Sequence, residues 1–523
     1  MTPRILVADP LAEDGIKRLK QVGLVDVKLK LSEDELVQDI GEYDALVVRS
    51  ETKVTARVIE AAKRLKVIGR AGVGIDNIDV ATATKKGIMV VNAPSGNIIA
   101  AAEHTIALML ALARRIPQAD LSVRRGEWTR SKFQGSEIRD KTLGIIGLGN
   151  IGVEVAKRAK GLDMKVIAYD PIIPQDRAEQ YGVKLVDLNE LLSLSDFVTL
   201  HVPLTDSTRN LIGRAELNLM KPSAVLINCA RGGVLDEQAL YEALKDGKIA
   251  GAALDVFASE PPINSPLLEL DNVVLTPHIG GSTKEAQISV AYEVADEIAA
   301  VLSGGFARHV INAPSIPPED LPIYGPYIEL TKKLAKLFTQ LRRQRVKQIQ
   351  LTYKGAISER DTAPITAAAL EEIISSFSEE KVNHINARYV AAKHGITIAE
   401  RRIPSTGNDT VIIEVKEDGH AMTIEGSVTE NGIRLTAIDS FRFDLVPSGR
   451  FLISRHLDRP GIIGKVGTLL GANNINIASM QVGRDVPRGR AMMILSVDEE
   501  VPPEILNELS QIEGIGNMSF VEL

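Results

Sequence analysis

Between Arg4 and about Ala313, short runs of aliphatic and β-branched residues alternate with helix-length segments. Ile5-Leu6-Val7-Ala8-Asp9 and Ala45-Leu46-Val47-Val48-Arg49 open the series. A second series covers residues 143–146, 165–170, 197–202, 224–230, 250–257 and 273–277. Strands this continuously apolar are buried on both faces, the pattern of a parallel sheet covered by helices. Residues 100–113, helical by length and Ala/Leu content, divide the two series and predict two α/β lobes with a cleft between them.

Pro314, Pro317, Pro318, Pro322 and Pro326 crowd the next stretch. Their missing amides and fixed φ predict an extended connector and a domain boundary. A basic segment at 332–347 and an alanine-rich helix at 363–377 follow, then alternating strands with hairpin turns at Asp418-Gly419 and Asn431-Gly432. That texture predicts an α+β domain. The tail reads as strand 451–454, helix 462–470, strands 477–482 and 492–497, helix 503–512 and strand 518–523, a ferredoxin-like β-α-β-β-α-β unit. The predicted division is 1–99 with 283–313, then 100–282, 314–450 and 451–523.

At 523 residues the chain has room for several cores. With 45% hydrophobic and 25% charged residues it has the composition of a globular protein. A net charge of −7 argues against a surface built for nucleic acid or anionic membrane. The basic segment, with Lys332, Lys333, Lys336, Arg342, Arg343, Arg345 and Lys347, reads as a solvated helix face, with an anion site as the sharper alternative. The single Cys229 forms no internal disulfide, and no apolar run approaches the ~20 residues of a membrane span, so a cytoplasmic setting is expected. No H-x-x-x-H or C-x-x-C spacing suggests a metal.

Gly147-Leu148-Gly149-Asn150-Ile151-Gly152 follows a strand and opens a helix. Glycines there let a turn touch a pyrophosphate, whose charge is favoured by the unpaired amides of a helix N-terminus. Asp170 closes the next strand, where a carboxylate accepts from both ribose hydroxyls and repels the extra phosphate of NADP; NAD is the expected cofactor. Ala71-Gly72-Val73-Gly74 lacks the third glycine and reads as a cleft loop.

Arg231, Asp255, Glu260 and His278 stand at or just beyond the carboxyl ends of three predicted strands, where open parallel sheets assemble ligand sites. Oxidising an alcohol with NAD requires a base for the hydroxyl proton, and His278 fits, with Glu260 as the carboxylate that orients it. Arg231 suits a substrate carboxylate and the adjoining carbonyl. Taken singly, His278 also reads as a loop histidine and the Arg231 and Glu260 charges as surface ion pairs. Cys229 reads as a small apolar residue beside the cofactor.

These motifs, with Asn228-Cys229-Ala230-Arg231-Gly232-Gly233, Glu260-Pro261 and Thr276-Pro277-His278-Ile279-Gly280-Gly281-Ser282-Thr283, resemble the D-isomer-specific 2-hydroxyacid dehydrogenases over about the first 313 residues. The whole chain is similar to the long-form branch that adds an intervening domain and a C-terminal ACT domain. The resemblance implies two Rossmann/flavodoxin-like lobes and NAD-dependent oxidation of 3-phospho-D-glycerate to 3-phosphohydroxypyruvate, the entry to L-serine synthesis. It makes Arg231, Glu260 and His278 the catalytic set and brings Asp255 to the nicotinamide carboxamide. Gly147, Gly149, Asn150, Ile151, Gly152, Asp170, Val202, Cys229, Ala230, Gly280 and Gly281 then line the NAD site.

Arg49 and Arg70 follow strand-like runs in the first lobe and Lys53 lies just beyond Arg49, a set of cations suited to phosphate. The resemblance adds Arg130 to them and places Val73, Gly74 and Asn97 near the substrate carboxylate. In the tail, Pro460-Gly461 breaks into a helix whose free amides suit a small amino acid's carboxylate, and Asn476 enters the second strand. His456, Asp458 and Asn476 are the expected effector residues. L-serine and a homo-oligomer, a tetramer by analogy, are what the resemblance implies as partners. A glyoxylate or hydroxypyruvate reductase, and a scaffold that senses NADH without catalysis, stand as the alternatives.

Overall fold

The computed structural model describes residues 2–342, 346–417 and 420–523. Its first sheet contains β1 (Arg4–Val7), β2 (Leu24–Val27), β3 (Ala45–Val48), β4 (Val67–Arg70) and β5 (Met89–Asn92), all parallel, in the order β2-β1-β3-β4-β5. β3 and β5 are buried at every position, as their unbroken apolar runs require. Helix Lys284–Leu302 belongs to this lobe although it follows the second one in the chain. A Cβ on Gly69 of β4 would meet Ile298 Cδ1 and Val294 Cγ2 at 2.6 and 2.7 Å, so helix and sheet touch through a bare glycine.

The second sheet holds β6 (Thr142–Ile146), β7 (Lys165–Tyr169), β8 (Lys184–Leu185), β9 (Phe197–Leu200), β10 (Val225–Asn228), β11 (Gly251–Leu254) and β12 (Val273–Leu275). The strands are parallel in the order β12-β11-β10-β9-β6-β7-β8, so the winding reverses between β6 and β9. Helix Ile98–Ala113 carries the chain from the first lobe into the second and buries Leu108, Met109 and Leu112 there.

The third sheet is mixed: β13 (Val346–Lys354), β14 (Thr397–Ile403), β15 (Asp409–Glu417), β16 (His420–Thr429), β17 (Gly432–Ile438) and β18 (Phe441–Leu445), ordered β14-β13-β15-β16-β17-β18. Only β13 and β14 pair in parallel. The expected turn at Asp418-Gly419 lies outside the described residues. The turn expected at Asn431-Gly432 sits one residue earlier: Thr429 pairs with Gly432, Glu430 and Asn431 form the loop, and Gly432 begins β17 with a φ of 96°.

The proline-rich connector is corrected by the structure. Pro314 and Pro317 are irregular, but Pro322 and Pro326 lie inside helix Leu321–Leu341. Pro322 falls in the first turn, whose amides have no intrahelical partner in any case. Beyond it, burial of Tyr327, Leu330, Leu334 and Phe338 against the third sheet and helix Ala363–Ser375 outweighs the local cost of Pro326. The basic segment splits: Lys332, Lys333 and Lys336 are on this helix, Lys347 is on β13, and Arg343 and Arg345 lie outside the described residues.

The fourth sheet holds β19 (Arg450–Leu457), β20 (Ile477–Arg484), β21 (Arg490–Val497) and β22 (Ile515–Glu522), antiparallel in the order β20-β21-β19-β22. Helices Ile462–Ala472 and Pro503–Ser510 intervene in the expected β-α-β-β-α-β sequence and share its core through Val466, Leu470 and Leu509. No helix among the described residues is long and apolar enough to cross a membrane.

Candidate active site

Ligands of open parallel sheets bind beyond the strands' carboxyl ends where the winding reverses, which here is the junction of β6 and β9. Gly147-Leu148-Gly149 runs from β6 into helix Asn150–Gly161. Gly147 has a φ of 94°, and a Cβ on it would lie 2.7 Å from the His201 carbonyl oxygen. A Cβ on Gly152 would strike the Gly147 carbonyl, so both glycines serve close packing. Gly149 differs: nothing stands within 4 Å of a Cβ built there. Its bareness suits an approach from outside, and the residues present fit a pyrophosphate on first-turn amides, with Asn150 exposed as the first helical residue.

Asp170 directly follows β7 as expected, but most of its acceptor capacity is already used. Oδ2 accepts from the Leu148 amide at 2.9 Å, and Oδ1 from the Ile172 and Ile173 amides at 2.9 and 3.1 Å. One position on Oδ2 is left for a ribose hydroxyl, instead of the two-handed grip read from sequence. The negative charge beside the glycine turn is unchanged by this.

The cleft between the lobes consists of two adjoining hollows of about 250 and 720 Å³. The inner is bordered by Ile151, Val202, Cys229, Ala230, Asp255, Gly280 and Gly281 from the second lobe and by Arg70, Val73, Gly74 and Asn97 from the first. Arg231 and His278 border both, and Glu260 and Lys53 the outer one. Burial pushes the Cys229 thiol up to about 12, so it stays protonated and unreactive.

His278 has a φ of 53°, unusual for a non-glycine residue, and presents a half-exposed ring whose Nδ1 stands 2.7 Å from Glu260 Oε2. Glu260 also accepts from the Phe257 amide at 3.1 Å. Burial raises the Glu260 carboxyl, but the bonds from His278 and Phe257 outweigh it and hold the group below the usual carboxylate range. With an ionised Glu260 accepting at Nδ1, the His278 Nε2 is left as the free base nitrogen.

The loop that carries His278 is tied to Asp255. Its buried carboxylate accepts from Thr276 Oγ1 at 2.6 Å, the Ile279 amide at 2.8 Å and the Gly280 amide at 2.7 Å, with His104 Nε2 at 3.3 Å. Burial alone raises Asp255; His104, Thr276 and the two amides reverse the shift and lower it. Three of these donors sit on Oδ1 and one on Oδ2, so a single Oδ2 position remains toward the cleft. His104 and Thr276 escaped the sequence reading. Thr276 lies two residues before His278 in a motif already singled out, and His104 sits with Glu103 and Thr105 in a short polar break of a mostly apolar helix.

Arg231 leans across to the first lobe: its Nε stands 3.3 Å from Asp76 Oδ2, its Nη1 donates to the Ala230 carbonyl at 2.7 Å, and it leaves no space for a Cβ on Gly74. Asp76 is a second partner not found from sequence. Arg70 is mostly enclosed, with Nε unpaired. Burial first, then repulsion from Arg231 and Arg49, lowers its pKa to about 10, although Asp76 and Asp9 act the other way. It remains a cation at neutral pH, in a place short of negative charge. Arg49 adds its field without bordering either hollow, and Lys53 is exposed at the outer rim. Arg130 is not brought to the cleft of its own chain; it is exposed, with its guanidinium 5.7 Å from the exposed Trp128 ring.

The expected effector residues do not form one pocket within the chain. His456 pairs with Ala491 near one end of the fourth sheet, whereas Ile477, next to Asn476, pairs with Val497 near the other. His456 is buried with Nδ1 unpartnered. Asp458 accepts from the Arg488 amide at 2.9 Å and faces Arg484, while Asn476 Nδ2 donates to Asp498 at 2.6 Å. Strand pairing separates residues that the loop sequences made seem adjacent. No cluster of three metal-ligating side chains occurs among the described residues.

Residues 106–280 match the NAD binding domain of the D-isomer specific 2-hydroxyacid dehydrogenases, residues 323–439 the D-3-phosphoglycerate dehydrogenase intervening domain, and residues 449–514 the ACT domain. The D-3-phosphoglycerate dehydrogenase of Archaeoglobus fulgidus is 47% identical over 99% of this chain and 100% of its own, and that of Methanocaldococcus jannaschii 48% over the same shares. The D-lactate dehydrogenase of Aquifex aeolicus, solved with NAD and lactic acid, superposes with a TM-score of 0.52 at 31% identity, covering 58% of this chain and 96% of that one. The chain belongs to the D-3-phosphoglycerate dehydrogenase family.

One further group marks the cleft. His201, against Thr199 Oγ1 at 3.0 Å, borders the inner hollow, and loss of water lowers it from an ordinary 6.5 to about 4. Between those values the unfolded chain binds a proton that the folded one refuses, so this group makes stability fall as pH drops from 6.5 toward 4. His201→Gln should flatten that slope in urea titrations across the window; an unchanged slope would show that His201 is not the source.

Proposed function

We propose that the chain is an NAD-dependent oxidoreductase that converts 3-phospho-D-glycerate to 3-phosphohydroxypyruvate. The observation that carries this reading is one cleft wall bearing the His278–Glu260 pair and Arg231, opposite Arg70 and close to the glycine turn. The turn packed through Gly147 and Gly152 presents Gly149, Asn150 and Ile151 to the pyrophosphate side of NAD, Asp170 takes a ribose hydroxyl, and Val202, Cys229, Ala230, Gly280 and Gly281 line the nicotinamide end, with Asp255 Oδ2 open to the carboxamide. Bound NAD supplies the hydride acceptor.

Arg231 holds the substrate carboxylate and polarises the adjoining carbon–oxygen bond, while Val73, Gly74 and Asn97 close around the same end. His278 Nε2 takes the hydroxyl proton, and Glu260 stabilises the imidazolium that forms. The reverse reaction uses these groups in the opposite order. Arg70, with Arg49 and Lys53 behind it, receives the phosphate, a need that glyoxylate or hydroxypyruvate does not create. Arg130, exposed on its own chain, reaches a phosphate only at the cleft of a second copy.

The ACT domain supports an amino-acid effector, which we assign as L-serine. Because Asn476 lies far from His456 and Asp458 in one chain, the effector site forms between two copies, consistent with a symmetric homo-oligomer, which we assign as a tetramer. We assign serine synthesis as the pathway and the cytoplasm as the setting.

In an absorbance assay with 3-phosphoglycerate and NAD, His278→Asn should lower kcat at least ~100-fold while leaving NADH binding intact; retained turnover would overturn the assignment. Arg70→Ala should raise KM for 3-phosphoglycerate by about 10-fold or more and hardly change it for unphosphorylated glycerate, the pattern of a lost phosphate contact. Equal effects on both substrates would refute the phosphate role. L-Serine titrated calorimetrically into the full chain should give heat that His456→Ala removes, with light scattering of the same sample reporting the copy number; heat unaltered by the substitution would displace the effector site from this loop.

A further inference from the structure

The two chain crossings between the catalytic lobes lie against each other. The outgoing one runs from β5 through Pro94-Ser95-Gly96-Asn97 into helix Ile98–Ala113, and the returning one passes Gly280-Gly281 into helix Lys284–Leu302. Two residues of the returning helix, one turn apart, grip the outgoing loop. Val290 crowds Gly96, where a Cβ would lie 2.7 Å from the Val290 amide nitrogen. Glu293 accepts from the Ser95 amide at 3.2 Å and the Gly96 amide at 3.1 Å. Its side chain is only 15% exposed.

A third element packs beside that carboxylate and bonds its neighbour Glu297. His309 Nδ1 stands 3.5 Å from Glu293 Oε1 and 2.9 Å from Glu297 Oε1, and Glu297 accepts from the Arg308 amide at 2.7 Å. The His309 carbonyl in turn accepts from the Asn92 amide at the end of β5. Asn97, the next residue after the gripped pair, borders the inner hollow, and its Oδ1 is buried without a partner. It also packs on the other crossing: a Cβ on Gly281 would lie 3.0 Å from Asn97 Nδ2. Amides bonded to a carboxylate are held more firmly than amides bonded to a neutral acceptor, and small displacements of a positioning group cost rate steeply.

We infer that Glu293 is a positioning residue for the reaction: by fixing the Ser95 and Gly96 amides it sets where Asn97 meets the substrate carboxylate. This rests on the reading of the cleft given above. Glu293 touches no reacting atom, so its effect falls on substrate turnover and leaves the dinucleotide side alone. In the full chain, Glu293→Ala should lower kcat/KM for 3-phosphoglycerate at least ~10-fold, with the NADH Kd from fluorescence titration changed less than ~2-fold. Glu293→Gln keeps a carbonyl oxygen for the Gly96 amide and should restore most of the rate. In an Asn97→Ala background, Glu293→Ala should cost less than ~3-fold more, because both act through one loop. Additive losses, a parallel loss of NADH binding, or wild-type kcat/KM in Glu293→Ala each overturn the inference while leaving the cleft assignment standing. Wild-type kcat/KM in Asn97→Ala overturns both.

Discussion

The buried carboxylate of Asp255 is the fixed point of the catalytic half. Surrounded by Thr276, His104 and the amides of Ile279 and Gly280, it stays charged out of water because each donor compensates part of its lost hydration. Those donors span both sides of His278, whose left-handed backbone would otherwise be costly. The imidazole is thus held by one acid at its side chain and by another through its backbone loop. Removing either leaves the ring without a defined direction, which matters more for proton transfer than proximity alone.

Across the cleft the balance of charge is reversed. Arg70 on the first lobe is repelled by Arg231 and Arg49, and Asp76 and Asp9 relieve this only in part. An anion placed among these guanidiniums relieves that repulsion, an electrostatic need that the proposed substrate, with a phosphate at one end and a carboxylate at the other, would meet. Arg70 and Arg49 stand on the first lobe and Arg231 on the second, and the Arg231–Asp76 contact spans the cleft between them.

Much of this was legible in the chain itself. Apolar runs such as 45–48 and 225–228 read as strands buried on both faces, and the spacing of Arg231, Glu260 and His278 placed each at a strand end. Local pattern was weaker where long-range packing decides. Pro326 reads as a helix breaker, yet Leu330, Leu334 and Phe338 keep the helix by burial against a sheet that no local window contains. The distance between His456 and Asn476 follows from strand order, which hydrophobic alternation does not encode. Asp170 was found by its place after a strand, but the amides of Leu148, Ile172 and Ile173 that claim its oxygens emerge only from the folded turn. His104 and Thr276 are ordinary residues until the fold sets them beside Asp255.

The way the chain leaves the first lobe has a consequence of its own. Residues 309–312 run along the open side of β5: Asn92 donates to the His309 carbonyl, Ile311 to that of Val90, and Val90 to the Asn312 side chain at 2.8 Å. An uncovered border strand invites pairing with foreign polypeptide. Here the guard is woven in before the third sheet begins, so a shortened chain ending soon after Asn312 would still shield that border. The two catalytic lobes and the two later sheets are therefore joined at a seam where fusion or separation during evolution leaves no sticky ladder behind.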